Sequence, residues 1–372
     1  MRLPAFKLER YFARHEFGAP YVLCASDCES VTIADLLGLE PDARERFDRQ
    51  ALGYTQSPGS PTLRQEITRL YHTIRREEVL VHTGAEEAIF LFMHAALGPG
   101  DHAVIHRPCY QSLMDVPRSL GCRVSEWEAD EREGWALTAQ GLTRLLRPNT
   151  RVIVLNTPHN PTGSLMPEET FREVVEIAQA DGIVLFSDEV YRESEHEADD
   201  RLPAACDLDA QAVSLGVMSK TYGLPGLRIG WVATRNSAIL ERMAALKDYT
   251  TICASAPGEF LAEVALRHRE VLTKRNRRII RDNLRLLDDF LASHADRFSW
   301  ERPKAGPIGF PRLLGGSADR FCQAAVREAG VLLLPGSVYD DPGEHFRIGF
   351  GRRNFEEGLA RLEEFLKAGS RF

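Results

Sequence analysis

The sequence predicts an α/β fold in which a large domain, with a mostly parallel sheet sandwiched by helices, is joined to a smaller α+β domain. Short β-rich runs alternate with segments of helical length from residue 79 to about residue 235, and polar residues directly follow several of these runs. After residue 255 the pattern changes to long helices with a few short strands. At 372 residues the chain also exceeds what one hydrophobic core usually serves, which favours two domains.

The strands of the large domain are predicted from runs rich in β-branched and apolar residues. In chain order these runs are VLVHT, HAVIHR, RVIVLNTP, IVLFSDEVY, AVSLGV and IGWVAT. Helical patterns lie between them, at residues 86–97, 110–120, 167–180 and 237–246. Alternation of this kind predicts parallel strands, and such sheets bind ligands at the carboxyl ends of their strands.

The small domain is predicted from the remaining residues. The long helical segment LTKRNRRIIRDNLRLLDDFLASH is followed by short strands around IGFPRLL, VLLLPG and FRIGFG. We assign residues 45–255 to the large domain and residues 1–44 with 256–372 to the small one. The sequence has no internal repeat and no low-complexity linker, so the two domains are expected to pack closely.

Composition narrows the class of partner. A net charge of -8 and a pI near 5.8 argue against nucleic-acid binding, which depends on basic patches. The seven cysteines have neither zinc-site nor disulfide-framework spacing. The first 17 residues carry charges throughout, unlike a signal peptide or a membrane span. We therefore expect a cytoplasmic protein with small-molecule substrates and no membrane partner.

A candidate phosphate site lies in HTGAEEAIF, where Gly84 and Ala85 join a strand to a helix. Backbone amides at the start of a helix bind anions, although many glycines at this position serve only a tight turn. The sequence has no G-x-G-x-x-G motif, so a nicotinamide dinucleotide is not favoured.

The other candidate residues follow the later strands. Asp188 ends a run of buried type, where a carboxylate needs a cationic partner, and Tyr191 lies three residues beyond it. The loop NTPHNPTG contains Asn160, and VMSKTYGLPGLRIGWV contains Lys220 and Arg228. A lysine that is partly desolvated beside another cation is a nucleophile or a base, whereas a surface loop with two solvated charges is the simpler alternative. Taken together, these groups match the requirements of pyridoxal phosphate.

In the order of its motifs the chain resembles the class I/II aminotransferases of pyridoxal-phosphate fold type I, the family built like aspartate aminotransferase. The resemblance extends over nearly the whole length. It rests on GYTQSPGSPTLRQEI, TGAEEAI, RPCYQSL, NTPHNPTG, SDEVY, SKTYGLPGLRIGW and FRIGF. The lysine motif with its following arginine is highly specific for the family, whereas the phosphate loop alone is not.

The resemblance implies a role for each matching residue. Lys220 would hold the cofactor as an aldimine (a Schiff base), Asp188 would pair with its ring nitrogen, and Tyr191 would complete the catalytic set. The implied cofactor-binding residues are Tyr54, Gly84, Ala85, Glu86, Tyr110, Asn160, Asp188, Tyr191, Ser219, Lys220 and Arg228. Arg347 and Asn160 would bind the substrate, with the α-carboxylate on Arg347. Because Tyr54 would reach the phosphate from a second subunit, the resemblance implies a homodimer.

Several positions depart from the family or allow a simpler role. Val217 stands where relatives often have a hydroxyl side chain for the phosphate. The segment CASDCES places two acids, Asp27 and Glu29, where relatives have a substrate loop, which favours a donor with a cationic or hydrogen-bonding distal end, unless both acids point to solvent. Tyr110 could be a core aromatic, and Arg347 could belong to a structural ion pair. His94, His102 and His106 straddle a helix end and a strand, so we assign no metal.

The predicted function is an aminotransferase that moves an amino group between an α-amino acid and a 2-oxo acid. The motifs do not separate this reaction from those of lyases, cyclases and β/γ-replacement enzymes of the same family, such as capreomycidine synthase. A non-catalytic binding module with an aminotransferase-like body is a further alternative. The retention of Lys220 argues against that module.

Overall fold

The computed structural model describes residues 3–341 and 343–369 of the chain. Its strands, numbered in chain order, are β1 (Tyr21–Val22), β2 (Val79–His82), β3 (His102–Arg107), β4 (Arg123–Glu128), β5 (Thr150–Asn156), β6 (Val184–Asp188), β7 (Val213–Val217), β8 (Gly230–Ala233), β9 (Phe298–Ser299), β10 (Ile308–Gly309), β11 (Arg312–Leu313), β12 (Val331–Leu332), β13 (Leu334–Pro335) and β14 (Phe346–Gly349). Its α-helices are α1 (Lys7–His15), α2 (Ile33–Leu37), α3 (Ala43–Asp48), α4 (Pro61–Thr68), α5 (Gly84–Ala96), α6 (Gln111–Ser119), α7 (Ala139–Leu145), α8 (Glu168–Ala180), α9 (Ala205–Leu208), α10 (Ser237–Lys247), α11 (Ala256–Arg267), α12 (Arg269–Ser293), α13 (Ala318–Ala324) and α14 (Phe355–Lys367).

Within the described residues a seven-stranded sheet forms the centre of the fold, in the order β2-β8-β7-β6-β5-β3-β4. Its strands are parallel from β4 through β7, whereas β8 runs antiparallel to both β7 and β2. The predicted α/β class with a mostly parallel sheet is therefore confirmed. The sequence did not predict β4, because this edge strand, RVSEWE, lacks the continuous apolar run that marks strands buried on both faces.

Helices cover both faces of this sheet because successive side chains of its strands point in opposite directions. In β3, Ala103 and Ile105 pack in one cluster with residues of α5, α6 and α10, and Val104 packs in another with residues of α7 and α8. The same alternation recurs along β5. The helical patterns predicted between the strands are thus the layers that enclose the sheet.

The later part of the chain forms smaller sheets around long helices. β14 pairs antiparallel with β10 and β13, and the predicted long helix is α12, which spans 25 residues. β1 pairs in parallel with β12, and Leu23 joins the hydrophobic cluster of this region. These contacts agree with placing residues 21–23 in the small domain, whereas Leu36, Leu37 and Ala43 pack in one cluster with Val79 and Val81 of β2. The proposed domain boundaries stay a prediction.

The topology places three strand ends side by side at one edge of the sheet. β5 ends at Asn156, β6 at Asp188 and β7 at Val217, and these strands are neighbours with parallel direction. The loops that carry the predicted site residues therefore start from the same edge. Among residues 3–341 and 343–369, no helix has both the length and the apolar character that a membrane crossing requires.

Candidate active site

A cavity of about 230 Å³ opens at the carboxyl ends of β5, β6 and β7. Its wall combines residues from distant parts of the sequence. Ten of the predicted site residues line it: Ala85, Glu86, Tyr110, Asn160, Asp188, Tyr191, Ser219, Lys220, Arg228 and Arg347. The grouping predicted from separate motifs is thus present as one cavity.

Lys220 lies in the loop that follows β7, and its amine points into the cavity. The Nζ atom donates a hydrogen bond to Oγ of Ser26 at 2.7 Å. Among the described residues no carboxylate lies within ion-pair distance of this amine. Burial lowers the pKa of Lys220, although the Asp27 carboxylate opposes that effect. A lysine with a lowered pKa is suited to act as a nucleophile and as a base.

Asp188 ends β6 and is buried against the cavity. One carboxylate oxygen accepts a hydrogen bond of 3.3 Å from the backbone N–H of Val190, and no cation in the described part of the chain forms an ion pair with it. Burial raises the pKa of Asp188 to about 7. An isolated buried carboxyl of this kind is stabilised by a cationic partner, such as a protonated ring nitrogen.

The loop after β5 is held by the side chain of Asn156. Its amide donates to the backbone carbonyls of Pro158 and Asp188, and its oxygen accepts from the N–H of Asn160 at 2.7 Å. The Asn160 side-chain oxygen in turn accepts from Tyr339 and Arg347, each at 3.1 Å. The Asn160 amide nitrogen has no hydrogen-bond partner among the described residues, so it can donate to a ligand.

Two tyrosines complete the inner part of the cavity. Tyr191 is buried, and its hydroxyl donates to the backbone carbonyl of Ser26 at 2.8 Å. Its oxygen can still accept a bond from a ligand, but in this structure its proton is directed to Ser26. Tyr110 caps the start of α6, and its hydroxyl lies 3.4 Å from an Oε atom of Glu9. The Tyr110 ring forms part of the cavity wall, as stacking on a cofactor ring requires.

The predicted phosphate site lies at the start of α5. No side chain caps this helix, so the amides of its first turn remain available to an anion. Gly84 has a φ of +80°, and a Cβ at this position would lie 2.5 Å from Nη2 of Arg228. Glycine therefore allows the Arg228 guanidinium to pack against the loop. Ser219 also faces the cavity, whereas Val217 presents only methyl groups there.

Arg347, on β14, is 1% exposed. Its Nε and Nη2 atoms donate to the backbone carbonyl of Cys24, and Nη1 donates to Asn160 and Tyr339. No carboxylate in residues 3–341 and 343–369 pairs with it, so the alternative of a structural ion pair is wrong for those residues. A buried guanidinium without a counter-ion is a site for a ligand carboxylate.

Other predicted residues lie elsewhere. Tyr54 is 92% exposed and does not line this cavity, so its role at the phosphate of a second subunit stays a prediction. Asp27 forms an ion pair of 2.9 Å with Arg352, and Glu29 accepts from the backbone N–H of Arg353. Neither acid is part of the cavity wall.

Several residues that line the cavity were not predicted from the sequence. Leu8, Glu9 and Phe12 of α1 form part of the wall, and Ser26 connects Lys220 with Tyr191. Leu8 and Phe12 are four residues apart, a spacing that could have indicated a helix with one apolar face. The segment containing Ser26 was selected for its acids, but its serine is the residue that meets the lysine.

The donor set of the cavity fits pyridoxal phosphate. Lys220 supplies an amine for a carbonyl carbon, Asp188 a carboxyl for the ring nitrogen, and Asn160 a free amide for the ring oxygen. The start of α5, Ser219 and Arg228 would hold the phosphate, and Tyr110 would lie against the ring. Among the described residues Asp188 has no cationic partner and the Asn160 amide nitrogen has no hydrogen-bond partner, whereas Lys220 is bonded to Ser26 and Arg228 to the carbonyl of Pro225.

Comparison with known proteins agrees with this fit. The family model described as aminotransferase class I and II matches residues 23–362. Capreomycidine synthase from Streptomyces vinaceus is 28% identical over 374 residues, covering 99% of this chain and 95% of that protein. Among solved structures, a PLP-dependent aminotransferase from Streptococcus suis has a TM-score of 0.93 and 33% identity, with full coverage of both chains. The PLP-dependent cyclase OrfR has a TM-score of 0.90 and 29% identity, covering 100% of this chain and 99% of that one.

Proposed function

Because the chain belongs to the class I and II aminotransferase family and uses that family's cofactor, pyridoxal phosphate, we propose that it transfers an amino group between an α-amino acid and a 2-oxo acid. The observation that carries this proposal is the charge pattern of the cavity. Lys220, Asp188 and Arg347 face one space, and none of them has an oppositely charged partner within the described residues. A carboxylate, a guanidinium and an amine without ionic partners in a buried site cost free energy unless a ligand pairs with them.

The side chains would act on the substrate in a fixed order. Arg347 would hold the α-carboxylate through a bidentate pair, which orients Cα over Lys220. The Lys220 amine, whose pKa is lowered by burial, would remove the Cα proton and return it at the adjacent cofactor carbon. When bound, pyridoxal phosphate supplies a ring that withdraws electrons from Cα. Asp188 would keep the ring nitrogen protonated, and Asn160 would donate to the ring oxygen.

Cyclisation or elimination is a second candidate reaction, and the matched relatives favour considering it. One relative is named capreomycidine synthase and one solved structure a PLP-dependent cyclase. Both reactions use the same proton removal by Lys220, so the residues of the inner cavity serve either equally well. The fate of the amino group distinguishes the two.

A half-reaction separates these candidates. Cofactor-loaded protein is mixed with one amino acid in the absence of any 2-oxo acid, and both cofactor absorbance and product are measured. Transamination yields one 2-oxo acid per subunit and converts the cofactor to its amine form. A product that keeps its amino group and accumulates over many turnovers, with the cofactor unchanged, would identify a cyclase or lyase instead.

The charges of the cavity favour an amino donor with a cationic side chain. Lys220, Arg228 and Arg347 are all assigned to the cofactor or the α-carboxylate, so no described cation of the wall remains for a second carboxylate. Glu9 is a carboxyl group on the same wall to which no cofactor contact is assigned. We therefore expect arginine-like or ornithine-like donors to react faster than aspartate or phenylalanine in the half-reaction, through charge-assisted contacts.

We also propose that the active unit is a homodimer. Leu52, Tyr54 and Tyr249 are 85%, 92% and 92% exposed, which is unusual for side chains with a large apolar surface. Thr55 donates to the carbonyl of Ala254, and Lys247 donates to that of Ser57, so residues 55–57 are tied to residues 247–254, the stretch that contains Tyr249. Mixed dimers of Tyr54→Ala and Lys220→Ala should regain part of the activity that each variant lacks, and no recovery would contradict a shared site.

A further inference from the structure

We propose that the hydroxyl of Tyr339 is an internal stand-in for one oxygen of the substrate's α-carboxylate on Arg347, and that substrate binding breaks the hydrogen bond that Arg347 donates to this hydroxyl. This inference rests on the proposed function only in assigning that carboxylate to Arg347. Tyr339 ends the 3-10 turn Gly336–Tyr339 and is 2% exposed. Its hydroxyl accepts from Nη1 of Arg347 and donates to the side-chain oxygen of Asn160 at 3.1 Å.

A count of the N–H groups of Arg347 shows that one of its present hydrogen bonds must be released when the substrate binds. A guanidinium has five N–H groups, one on Nε and two on each Nη atom. In Arg347 the Nε–H and one Nη2–H donate to Cys24, and the two Nη1–H groups donate to Asn160 and Tyr339. A single Nη2–H is left. Because a bidentate carboxylate pair requires two N–H groups, one present acceptor must leave when the substrate binds.

Tyr339 is the acceptor whose hydrogen bond from Arg347 can be released at the smallest cost in free energy. If Asn160 lost its bond from Arg347, the loop that holds its free amide toward the ligand would lose a contact. If the buried carbonyl of Cys24 gave up its 2.8 Å bond from Nη2, it would keep only the longer 3.2 Å bond from Nε. The Tyr339 hydroxyl, in contrast, keeps its own proton bonded to Asn160 after it stops accepting from Arg347. No donor or acceptor is then left unpaired by the exchange.

The position of the hydroxyl is fixed by the ring rather than by Arg347. The Tyr339 ring meets Phe310 edge-on, at 5.9 Å between centroids and 83° between planes, and Phe310 stacks on His345 at 4.9 Å. These contacts hold the hydroxyl beside the guanidinium before a ligand arrives. The hydroxyl accepts a hydrogen bond from a buried cation that has no counter-ion among the described residues, and it therefore competes with the ligand carboxylate for that N–H group.

The test measures carboxylate affinity in Tyr339→Phe, which removes the oxygen and keeps the ring. Propionate is titrated into the cofactor-loaded protein, followed by absorbance, and into the cofactor-free protein, followed by thermal unfolding. We expect the variant to bind propionate about three- to tenfold more tightly than the parent, because the competing hydrogen bond is absent. Without propionate it should unfold at a lower temperature, and propionate should raise that temperature by more than in the parent.

Tyr71→Phe is the matched control, since its hydroxyl accepts a 2.9 Å bond from Trp231 outside the cavity. This change should leave propionate affinity unaltered. Unchanged or weaker propionate binding by Tyr339→Phe would overturn the proposal, because loss of a purely structural contact cannot tighten binding. If that variant does not fold, Tyr339→Leu provides the same comparison. Covalent attachment of the cofactor to the parent protein, measured by mass after borohydride reduction, tests the proposed function separately.

Discussion

The cavity has two walls that differ in burial and in charge pairing. The inner wall, formed by Asp188, Lys220, Arg347 and their neighbours at the strand ends, is buried, and its charged groups lack ion-pair partners in the described part of the chain. The outer wall, formed by Leu8, Glu9 and Phe12 of α1, is partly open, because Glu9 is exposed and Phe12 is half-buried. Electrostatic interactions are strong on the inner wall and screened on the outer one.

This difference separates two tasks of one site. Groups on the inner wall contact the atoms that react, so their removal should abolish turnover of every substrate. Groups on the outer wall meet the distal part of the substrate, so their removal should change selectivity by modest factors. Substituting single residues of each wall tests whether the inner wall determines the reaction and the outer wall the substrate.

The largest effect is expected for Lys220→Ala on the inner wall. Turnover should fall by a factor of about 10⁴, because the same amine binds the cofactor and transfers the proton. The covalent link between protein and cofactor, detected by mass after borohydride reduction, should also disappear. Lys220→Arg serves as the control that keeps the charge without the nucleophile, and circular dichroism verifies the fold. Turnover near that of the parent would remove Lys220 from the mechanism.

Asp188→Asn should come next, with a loss of about 10²-fold in kcat, since a neutral amide cannot keep the ring nitrogen protonated. Cofactor binding should weaken but persist. Glu189→Gln is the matched control: this neighbouring acid is also buried, but it accepts from Ala205 and Ser214 instead of facing the cavity. The control should lose stability and keep its kcat per folded subunit. Equal kcat losses in both variants would show that Asp188 is structural.

The two walls also differ in how well the sequence predicted them. Lys220, Asp188 and Asn160 follow directly on strands and occur in local motifs, so the alternation of elements placed them at one edge of the sheet. Glu9 of the outer wall contacts Tyr110 across 101 positions, and no local pattern encodes such a contact. The same holds for Tyr339, which does not line the cavity and contacts Asn160 across 179 positions. Asp27 and Glu29 were expected at the substrate. Instead, Asp27 pairs with the Arg352 side chain and Glu29 accepts from the backbone N–H of Arg353, contacts that only the tertiary fold brings together.

On the outer wall, Glu9→Gln should lower kcat/KM for a cationic amino donor such as arginine by about threefold, because exposed charge pairs are worth little. The value for a neutral donor such as phenylalanine should not change, which moves the ranking without affecting the chemistry. Glu169→Gln, on the exposed face of α8, is the control for a general change in net charge. An equal loss for both donors would assign Glu9 to the reaction itself and break the division between the walls.

The smallest effect concerns the pH dependence of stability in the cofactor-free protein. Burial raises the pKa of Glu86 to about 7 from its ordinary value of 4.5. The folded state therefore holds this proton more tightly than the unfolded chain, so the contribution of Glu86 to stability is present below pH 4.5 and is lost as the pH rises through about 7. Glu86→Gln should flatten the fall in unfolding temperature across that interval.

The adjacent Glu87 provides a control of opposite sign: burial alone would raise its pKa, but hydrogen bonds from Thr250 and Thr251 lower it, so its contribution is lost as the pH falls. Because that loss falls below the ordinary pKa of 4.5, Glu87→Gln should leave the decline between pH 4.5 and about 7 in place and reduce the loss of stability at lower pH. Identical pH profiles for the two variants would show that Glu86 is not the group whose burial sets the decline.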